Sequence, residues 1–347
     1  IRLSRVIPRL DEHVDHTLVH TGQNYDYELN EIFFKDMEIR KPDHFMEVET
    51  SSLGAAVGDI IRKSETVMKE VKPDALLVLG DTNSCLAAYM AKRLHIPVFH
   101  MEAGNRCFDF NVPEELNRRI IDHIADFNLV YTEHARRHLI SEGLSQRRIY
   151  LTGSPMREVL DYYQKKITYS NILGELELEE KQYFLASFHR EENVDNRQNL
   201  AKIIAVLSQL DTEYGIPVIV STHPRTRNRL EELGVDQTSQ QIRFLKPFGF
   251  TDYIRLQTKA LCTISDSGTI SEESAILSFP AISIRQSMER PEAQDAGTII
   301  LTGFEPDRVL DSIRLVIKEH EKRSYTRIAE DYTITDTSWR VLKLIQG

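Results

Sequence analysis

Residues 96–119 read IPVFHMEAGNRCFDFNVPEELNRR. Ile96-Pro97-Val98-Phe99 is an apolar run of the length of a buried strand. The residues after it gather Glu102, Asp109, Glu114 and Glu115, the arginines Arg106, Arg118 and Arg119, and His100 and Cys107. An open parallel α/β sheet produces this juxtaposition, because its ligands bind outside the carboxyl ends of buried strands. Pro113 with Glu114 and Glu115 also fits an ordinary helix start. Glu115 suits that role well, whereas Glu102, a strand-end acid, needs a partner or a task.

The same grammar extends in both directions. Apolar runs at 17–20, 75–79, 97–100, 127–131 and 148–151 each end in small or polar residues. Helical patterns near 52–69, 83–94, 114–125 and 133–142 separate them. Strand, turn, helix and strand in repetition predict a parallel sheet covered on both faces. The runs are continuous rather than alternating, as doubly buried strands should be. Arg157 to Glu180 is polar and helical, and the alternation then restarts with strands at 183–187, 217–221, 242–245, 261–265 and 280–284. We read α/β architecture with two doubly wound domains and an interdomain cleft formed by both sets of strand ends. The expected division is 1–160, 161–330 and a C-terminal helix within 331–347 that packs back on the first domain. At the other end, Ile1, Leu3, Val6, Ile7 and Leu10 have helical spacing. A strand and its loop are therefore expected to precede residue 1.

Bulk properties narrow the function classes. A chain of 347 residues exceeds one simple core and suggests two domains. The net charge is −10 with no block of Lys and Arg, which argues against nucleic acid as a partner. No apolar run approaches the ~18 residues of a membrane span, so no membrane partner is expected. Three cysteines without CxxC spacing, and no secretory segment, point to reduced thiols and a cytoplasmic setting. There is no GxxxxGK[ST], no GxGxxG after a strand and no HExxH. Neither metal nor nicotinamide is expected, and no cofactor.

Six constellations could carry chemistry. Gly80-Asp81-Thr82-Asn83-Ser84 is either a glycine turn with a helix cap or part of a site. The second is the opening stretch. Ser187 to Asn193 carries His189 and Arg190, the latter a fork of donors suited to phosphate. Ser221 to Arg225 repeats the theme with His223. Asp266-Ser267-Gly268-Thr269 runs straight into a helix, and backbone amides at such a start favour a diphosphate. Glu273, one turn on, could accept ribose hydroxyls. Glu289-Arg290-Pro291-Glu292 is a further charged loop. Together they suggest a nucleotide held by the second half and a sugar presented to acids and bases of the first.

In order, GDT, HMEAG, PEELNRR, HREEN, DSGTISEE and ERPEAxxAGT resemble the non-hydrolysing UDP-N-acetylglucosamine 2-epimerases along essentially the whole chain. The resemblance implies two Rossmann-like domains in the glycosyltransferase-B arrangement, usually as a homodimer, acting on a UDP-linked 2-acetamido sugar. It implies Asp81, Glu102, Glu114 and His189 as catalytic residues. For substrate binding it implies Arg2 near the phosphates, Ser267, Gly268 and Thr269 at the diphosphate and Glu273 at the ribose, with Arg118, His223 and Tyr253 on further ligand positions. Arg190 joins His189 at the diphosphate, and Arg290 completes the charged loop. Two departures stand out. Asn105-Arg106-Cys107-Phe108-Asp109 replaces the family's LRTG, which resembles the branch forming UDP-N-acetyl-L-fucosamine for capsule and O-antigen. The UDP-2,3-diacetamido-glucuronate 2-epimerases are a second relative, and plain UDP-N-acetylglucosamine epimerisation is an alternative. Gly22-Gln23-Asn24-Tyr25-Asp26 stands where the common enzymes carry GQHR, which makes activation by UDP-N-acetylglucosamine doubtful. Rival readings are a hydrolysing epimerase, a glycosyltransferase on the same two-domain plan and a non-catalytic sugar-nucleotide binder.

Overall fold

The structure, a computed structural model, describes residues 1–22, 31–110, 112–235, 241–287, 289–322 and 328–347. The segment 23–26, where the sequence departs from GQHR, lies outside the described residues. The chain divides into two compact units, Ile1–Asp161 with Glu330–Gly347, and Tyr162–Ala329.

The first unit runs α1 (Val6–His13), β1 (Val19–His20), α2 (Glu31–Asp36), β2 (His44–Phe45), α3 (Leu53–Val71), β3 (Leu76–Leu79) and α4 (Ala87–Arg93). It continues with β4 (Val98–Ala103), α5 (Pro113–Ile124), β5 (Phe127–Val130), α6 (Glu133–Ser141) and β6 (Ile149–Leu151). Strands β3, β4, β5 and β6 form a parallel sheet in that order, and β1 pairs in parallel with β2. Helix α7 (Met156–Tyr169) carries the chain across the division.

The second unit runs α8 (Ile172–Glu175), β7 (Phe184–Phe188), α9 (Glu191–Val194), α10 (Arg197–Tyr214), β8 (Val218–Thr222), α11 (Pro224–Glu232) and β9 (Ile242–Leu245). It continues with α12 (Phe250–Lys259), β10 (Cys262–Ser265), α13 (Ile270–Leu277), β11 (Ala281–Ser283), α14 (Glu292–Asp295), β12 (Ile300–Leu301) and α15 (Pro306–Lys322). Its parallel strands are ordered β12-β11-β10-β7-β8-β9. From β7 the chain winds outward through β8 and β9, and later the other way through β10, β11 and β12. The order therefore reverses between β7 and β10, which is where doubly wound sheets open a crevice for ligands. Helix α16 (Thr337–Gln346) belongs to the first unit, where Arg9 of α1 sits 3.9 Å above the Trp339 ring.

Alternate residues of each strand serve opposite faces. In β4 and β5, Phe99, Met101 and Leu129 pack on Val6 and Leu10 of α1 and on Val341 and Leu342 of α16. Val98 faces the other way, onto Ala88 and Ala91 of α4 and Ile121 of α5. In the second unit Phe184, Ala186, Val218, Val220, Cys262 and Ile264 share a core with α10 and α15. Both faces are covered, so even the polar residues that alternate in β10, Thr263 and Ser265, are 0 % exposed.

Differences from the sequence expectation are local. The helical pattern at 83–94 is a 3₁₀ turn, Asn83–Leu86, followed by α4. Residues 2–5 are turns, and the first helix begins at Val6. The two-residue strands β2 and β12 are too short to leave a periodic signal. Strand β4 does not stop before Glu102. It runs to Ala103 through a register shift between Met101 and Ala103, with Glu102 at φ +66°. A bulge of this kind re-aims one side chain without ending the strand.

Gly104 follows that bulge at φ +79°, and a Cβ there would lie 2.4 Å from the Ala135 carbonyl oxygen. Gly104→Ala therefore should cost about 1–3 kcal/mol from the backbone alone, with the clash added. Gly58, exposed within α3 with nothing in a Cβ's reach, should instead stabilise when changed to Ala, by up to ~1 kcal/mol. Urea unfolding midpoints of the two variants should move in opposite directions. Equal midpoints would show that Gly104 is not constrained.

Candidate active site

The first cluster is built where β3 and β4 end side by side, with Leu79 paired to Met101. Gly80 turns the chain at φ +74° and delivers Asp81. Thr82 stands at the N-cap of the following 3₁₀ turn, but its side chain makes no capping hydrogen bond. Instead the Asp81 carboxylate receives Arg118 of α5, whose other nitrogen donates to Glu115 at 3.2 Å. Burial raises the Asp81 carboxyl above its ordinary range, the charges of Glu102 and Glu114 push the same way, and Arg118 opposes them. Glu102 and Glu114 are therefore both close enough to act on Asp81. Arg2 lies 3.6 Å from Glu102, and Asn105 donates to Glu102 at 3.4 Å.

Beneath these acids lies a charge network that reading along the chain does not reveal. Asp122 of α5 is 0 % exposed. Its carboxylate meets His100 Nδ1 at 2.8 Å and Arg106 Nη1 at 2.7 Å, and accepts the Gly104 N–H at 3.2 Å. The other His100 nitrogen lies 2.9 Å from the Gly80 carbonyl. Burial pushes the Asp122 carboxyl up, but His100 and Arg106 outweigh it and hold it below the carboxylate range. Arg106 also spans Glu142 at 2.8 and 2.6 Å. One buried anion thus ties the turn after β3 to both sides of the Glu102 bulge.

Glu114 and Glu115, neighbours in the first turn of α5, differ in burial. Glu114 is exposed, whereas Glu115, assigned from sequence to helix-start duty, is 0 % exposed. Glu115 accepts from Arg118, from Arg119 at 2.9 Å and from the Cys107 N–H at 3.0 Å. The sequence signal was available: Glu115 stands three and four residues before Arg118 and Arg119, the spacing of same-face helical pairs.

The second cluster lies at the carboxyl ends of β10, β7 and β8, around the reversal in strand order. His189 follows β7, and its Nδ1 is 3.0 Å from the Asp266 carboxylate that follows β10. Asp266 is 0 % exposed and also accepts the backbone N–H groups of His189 and Arg190 at 3.0 Å each, and Asn193 Nδ2 at 2.8 Å. Burial pushes its carboxyl up, but His189 and these donors bring it down to about 2. Arg190 Nε donates to the Asp266 carbonyl at 3.0 Å, and Glu289 bridges Arg190 at 3.3 Å to Arg285 at 2.9 Å.

The loop Ser267-Gly268-Thr269 leads into α13, with the Ser267 and Thr269 hydroxyls 3.0 Å apart. Arg290 donates to the Gly268 carbonyl and pairs with buried Glu272, so it braces the loop from behind. Glu273 accepts from Gln257 at 2.8 Å. Burial raises the Tyr253 phenol, the Glu273 charge adds to the rise, and a hydrogen bond with Ser187 opposes it. His223 sits after β8, where its Nδ1 caps α11 by accepting the Arg225 N–H at 3.2 Å.

The structure thus brings Arg2, Asp81, Glu102, Glu114 and Arg118 together in the first unit. It gathers His189, Arg190, His223, Tyr253, Ser267, Gly268, Thr269, Glu273 and Arg290 in the second. Asp122, Arg106, Glu115, Asp266, Arg285 and Glu289 support them; Asp122 and Arg285 were not named from sequence, and the other four stood in the quoted stretches without this role. Among the described residues, no group of three His, Cys, Asp or Glu is placed to hold a metal ion, and no helix is long and apolar enough to cross a membrane. The chemistry on offer is proton exchange by a raised carboxyl among other carboxylates, and anion binding at a helix start flanked by histidine and arginine.

Comparison with known proteins agrees with that combination. A UDP-N-acetylglucosamine 2-epimerase from Rickettsia bellii has a solved structure that is 50% identical, with a TM-score of 0.93, covering 99% of this chain and 92% of that one. The Methanocaldococcus jannaschii UDP-GlcNAc 2-epimerase, solved in complex with UDP-GlcNAc and UDP, is 30% identical with a TM-score of 0.92, covering 100% and 96%. A UDP-2,3-diacetamido-2,3-dideoxy-D-glucuronate 2-epimerase from Pseudomonas aeruginosa is 32% identical over 300 residues, 86% of this chain and 82% of its own. The family profile described as UDP-N-acetylglucosamine 2-epimerase matches residues 8–346, and the chain belongs to that family.

Proposed function

We propose that the protein inverts carbon 2 of a UDP-linked 2-acetamido sugar by eliminating UDP to a 2-acetamidoglycal and adding it back. The observation that carries this reading is the group Asp81, Glu102 and Glu114, in which burial and the two neighbouring charges raise Asp81. The hydrogen on carbon 2 is not adjacent to a carbonyl, so a carboxylate cannot remove it from the resting sugar. Breaking the bond from carbon 1 to the diphosphate builds positive charge at carbon 1, and the neighbouring hydrogen becomes acidic. A base then takes that proton, the C–H pair becomes the ring double bond, and the C–O pair leaves with UDP. On return, a second group protonates carbon 2 from the opposite face. Inversion needs acid and base groups reaching both faces, which is why several carboxylates are required.

In this reading Glu114, with Asp81 or Glu102, moves protons, and Arg2 and Arg118 set the charge around them. His189, Arg190 and the 267–269 loop stabilise the departing diphosphate, Arg290 braces that loop, and Glu273 holds the ribose, with Tyr253 and His223 beside them. General acid/base assistance contributes typically ~10²–10⁴ in rate, so preorganised donors at the diphosphate must supply much of the remainder.

The proposed product is UDP-N-acetyl-L-fucosamine, made for surface polysaccharide. Its support is the segment Asn105–Asp109 in place of LRTG, together with the Asn105 amide lying 3.4 Å from Glu102. The likeness to the diacetamido-glucuronate enzyme favours a second candidate with a modified sugar.

Run in deuterium oxide with a panel of UDP-sugars, the enzyme should wash deuterium into carbon 2 of the accepted sugar. Retention of the original hydrogen in an inverted product would exclude this mechanism. A glycosyltransferase would instead need an acceptor and leave carbon 2 unlabelled. Glu114→Gln should lower kcat by about 10²–10⁴ while UDP binding changes little. Near-wild-type turnover in that variant would remove Glu114 from the proton path.

A further inference from the structure

We propose that Asp266 is a positioning residue for His189, holding the ring by Nδ1 so that Nε2–H is presented to the diphosphate oxygen that leaves carbon 1. The proposal rests on the functional reading above and assigns a task that neither the sequence motifs nor the comparisons give to Asp266.

Four features of the geometry lead to it. The Asp266 carboxylate is fully buried, so it cannot turn to solvent for its hydrogen bonds. Its other donors, the His189 and Arg190 N–H groups and Asn193, lie at 2.8–3.0 Å and lock its orientation. The His189 side chain is 44 % exposed, so the ring is anchored on one edge and open on the other. Finally, β7 and β10 are neighbours at the reversal of strand order, with Ser187 paired to Ser265. The histidine, its carboxylate and the 267–269 loop therefore rise from adjacent strand ends.

An imidazole bound through Nδ1–H to a carboxylate can be neutral at Nε2, as an acceptor, or protonated there, as a donor. A departing diphosphate needs the donor form. Around the ring, loss of hydration lowers the pKa, as do the Arg190 and Arg285 charges, while the Asp266 charge and hydrogen bond outweigh them and raise it. Glu289, paired with both arginines, tempers their repulsion. The imidazolium thus persists to higher pH than an ordinary histidine. When the bond from carbon 1 breaks, its electron pair goes to the diphosphate oxygen, which Nε2–H meets with a hydrogen bond. The proton stays on nitrogen, and when UDP adds back, the diphosphate oxygen returns its electron pair to carbon 1 of the epimer.

Two measurements test this. In the unmodified protein without ligand, nitrogen-15 spectra of the histidine rings, with His189 assigned by its loss in His189→Gln, should show Nδ1 protonated at all pH values and Nε2 titrating above ordinary histidine. Titration at Nδ1, or at an ordinary or lower pH, overturns the arrangement, whether or not the enzyme is active. In Asp266→Asn, kcat should fall about 10²-fold or more with KM little changed, and the alkaline limb of the kcat profile should move to lower pH. A limb that stays in place overturns the positioning role. If the wild-type protein inverts no UDP-sugar, the functional reading fails and the ring spectra still decide the pairing.

Discussion

A carboxylate shut away from water must have its charge answered inside the protein, and each unit is organised around one that is. In the first, Asp122 is answered by His100 and Arg106; in the second, Asp266 is answered by His189 and three N–H donors. Leaving such a charge unmatched costs several kcal/mol, so the loops that supply the partners are held where they are. Both aspartates sit where parallel strands end, and both accept backbone N–H groups from the loop that carries the proposed chemistry.

The two pairs differ in one respect that separates support from function. His100 is 0 % exposed, and its second nitrogen lies against the Gly80 carbonyl, so the pair ties together two strand-end turns. His189 has the same partner type but keeps its outer edge open. The same chemistry therefore builds a brace in one unit and leaves a ring edge open in the other. The arginines follow a similar division. Arg106, 1 % exposed, is committed to Asp122 and Glu142, while Arg190, bound to the Asp266 carbonyl and to Glu289, is partly exposed beside the 267–269 loop.

A strained residue adjoins the first of these networks. Glu102 occupies a left-handed conformation that a non-glycine residue adopts only when its surroundings insist. Here they insist from both sides: Asp122 holds the His100 ring before it and the Gly104 N–H after it. The bulge points the Glu102 carboxylate toward the company of Asp81 and Arg2 instead of leaving it in the regular alternation of β4.

Much of this was legible along the chain. Continuous apolar runs ending in polar loops report strands buried on both faces, because burial of both faces leaves no room for alternation, and the order of motifs led to the family. The polar segments that gather in each unit were also visible, since they follow strand ends. What the chain could not show were pairings between residues far apart in sequence, such as His189 with Asp266 or Arg118 with Asp81, because a carboxylate's partner is set by which strands become neighbours. Glu114 and Glu115, adjacent in sequence and alike in chemistry, differ in burial because packing covers one face of α5, a difference at which only the spacing of Glu115 to Arg118 and Arg119 hinted. Sequence alone decided the periodicities and the supply of charged groups; tertiary structure decided which charges meet, because electrostatic attraction acts through space and not along the chain.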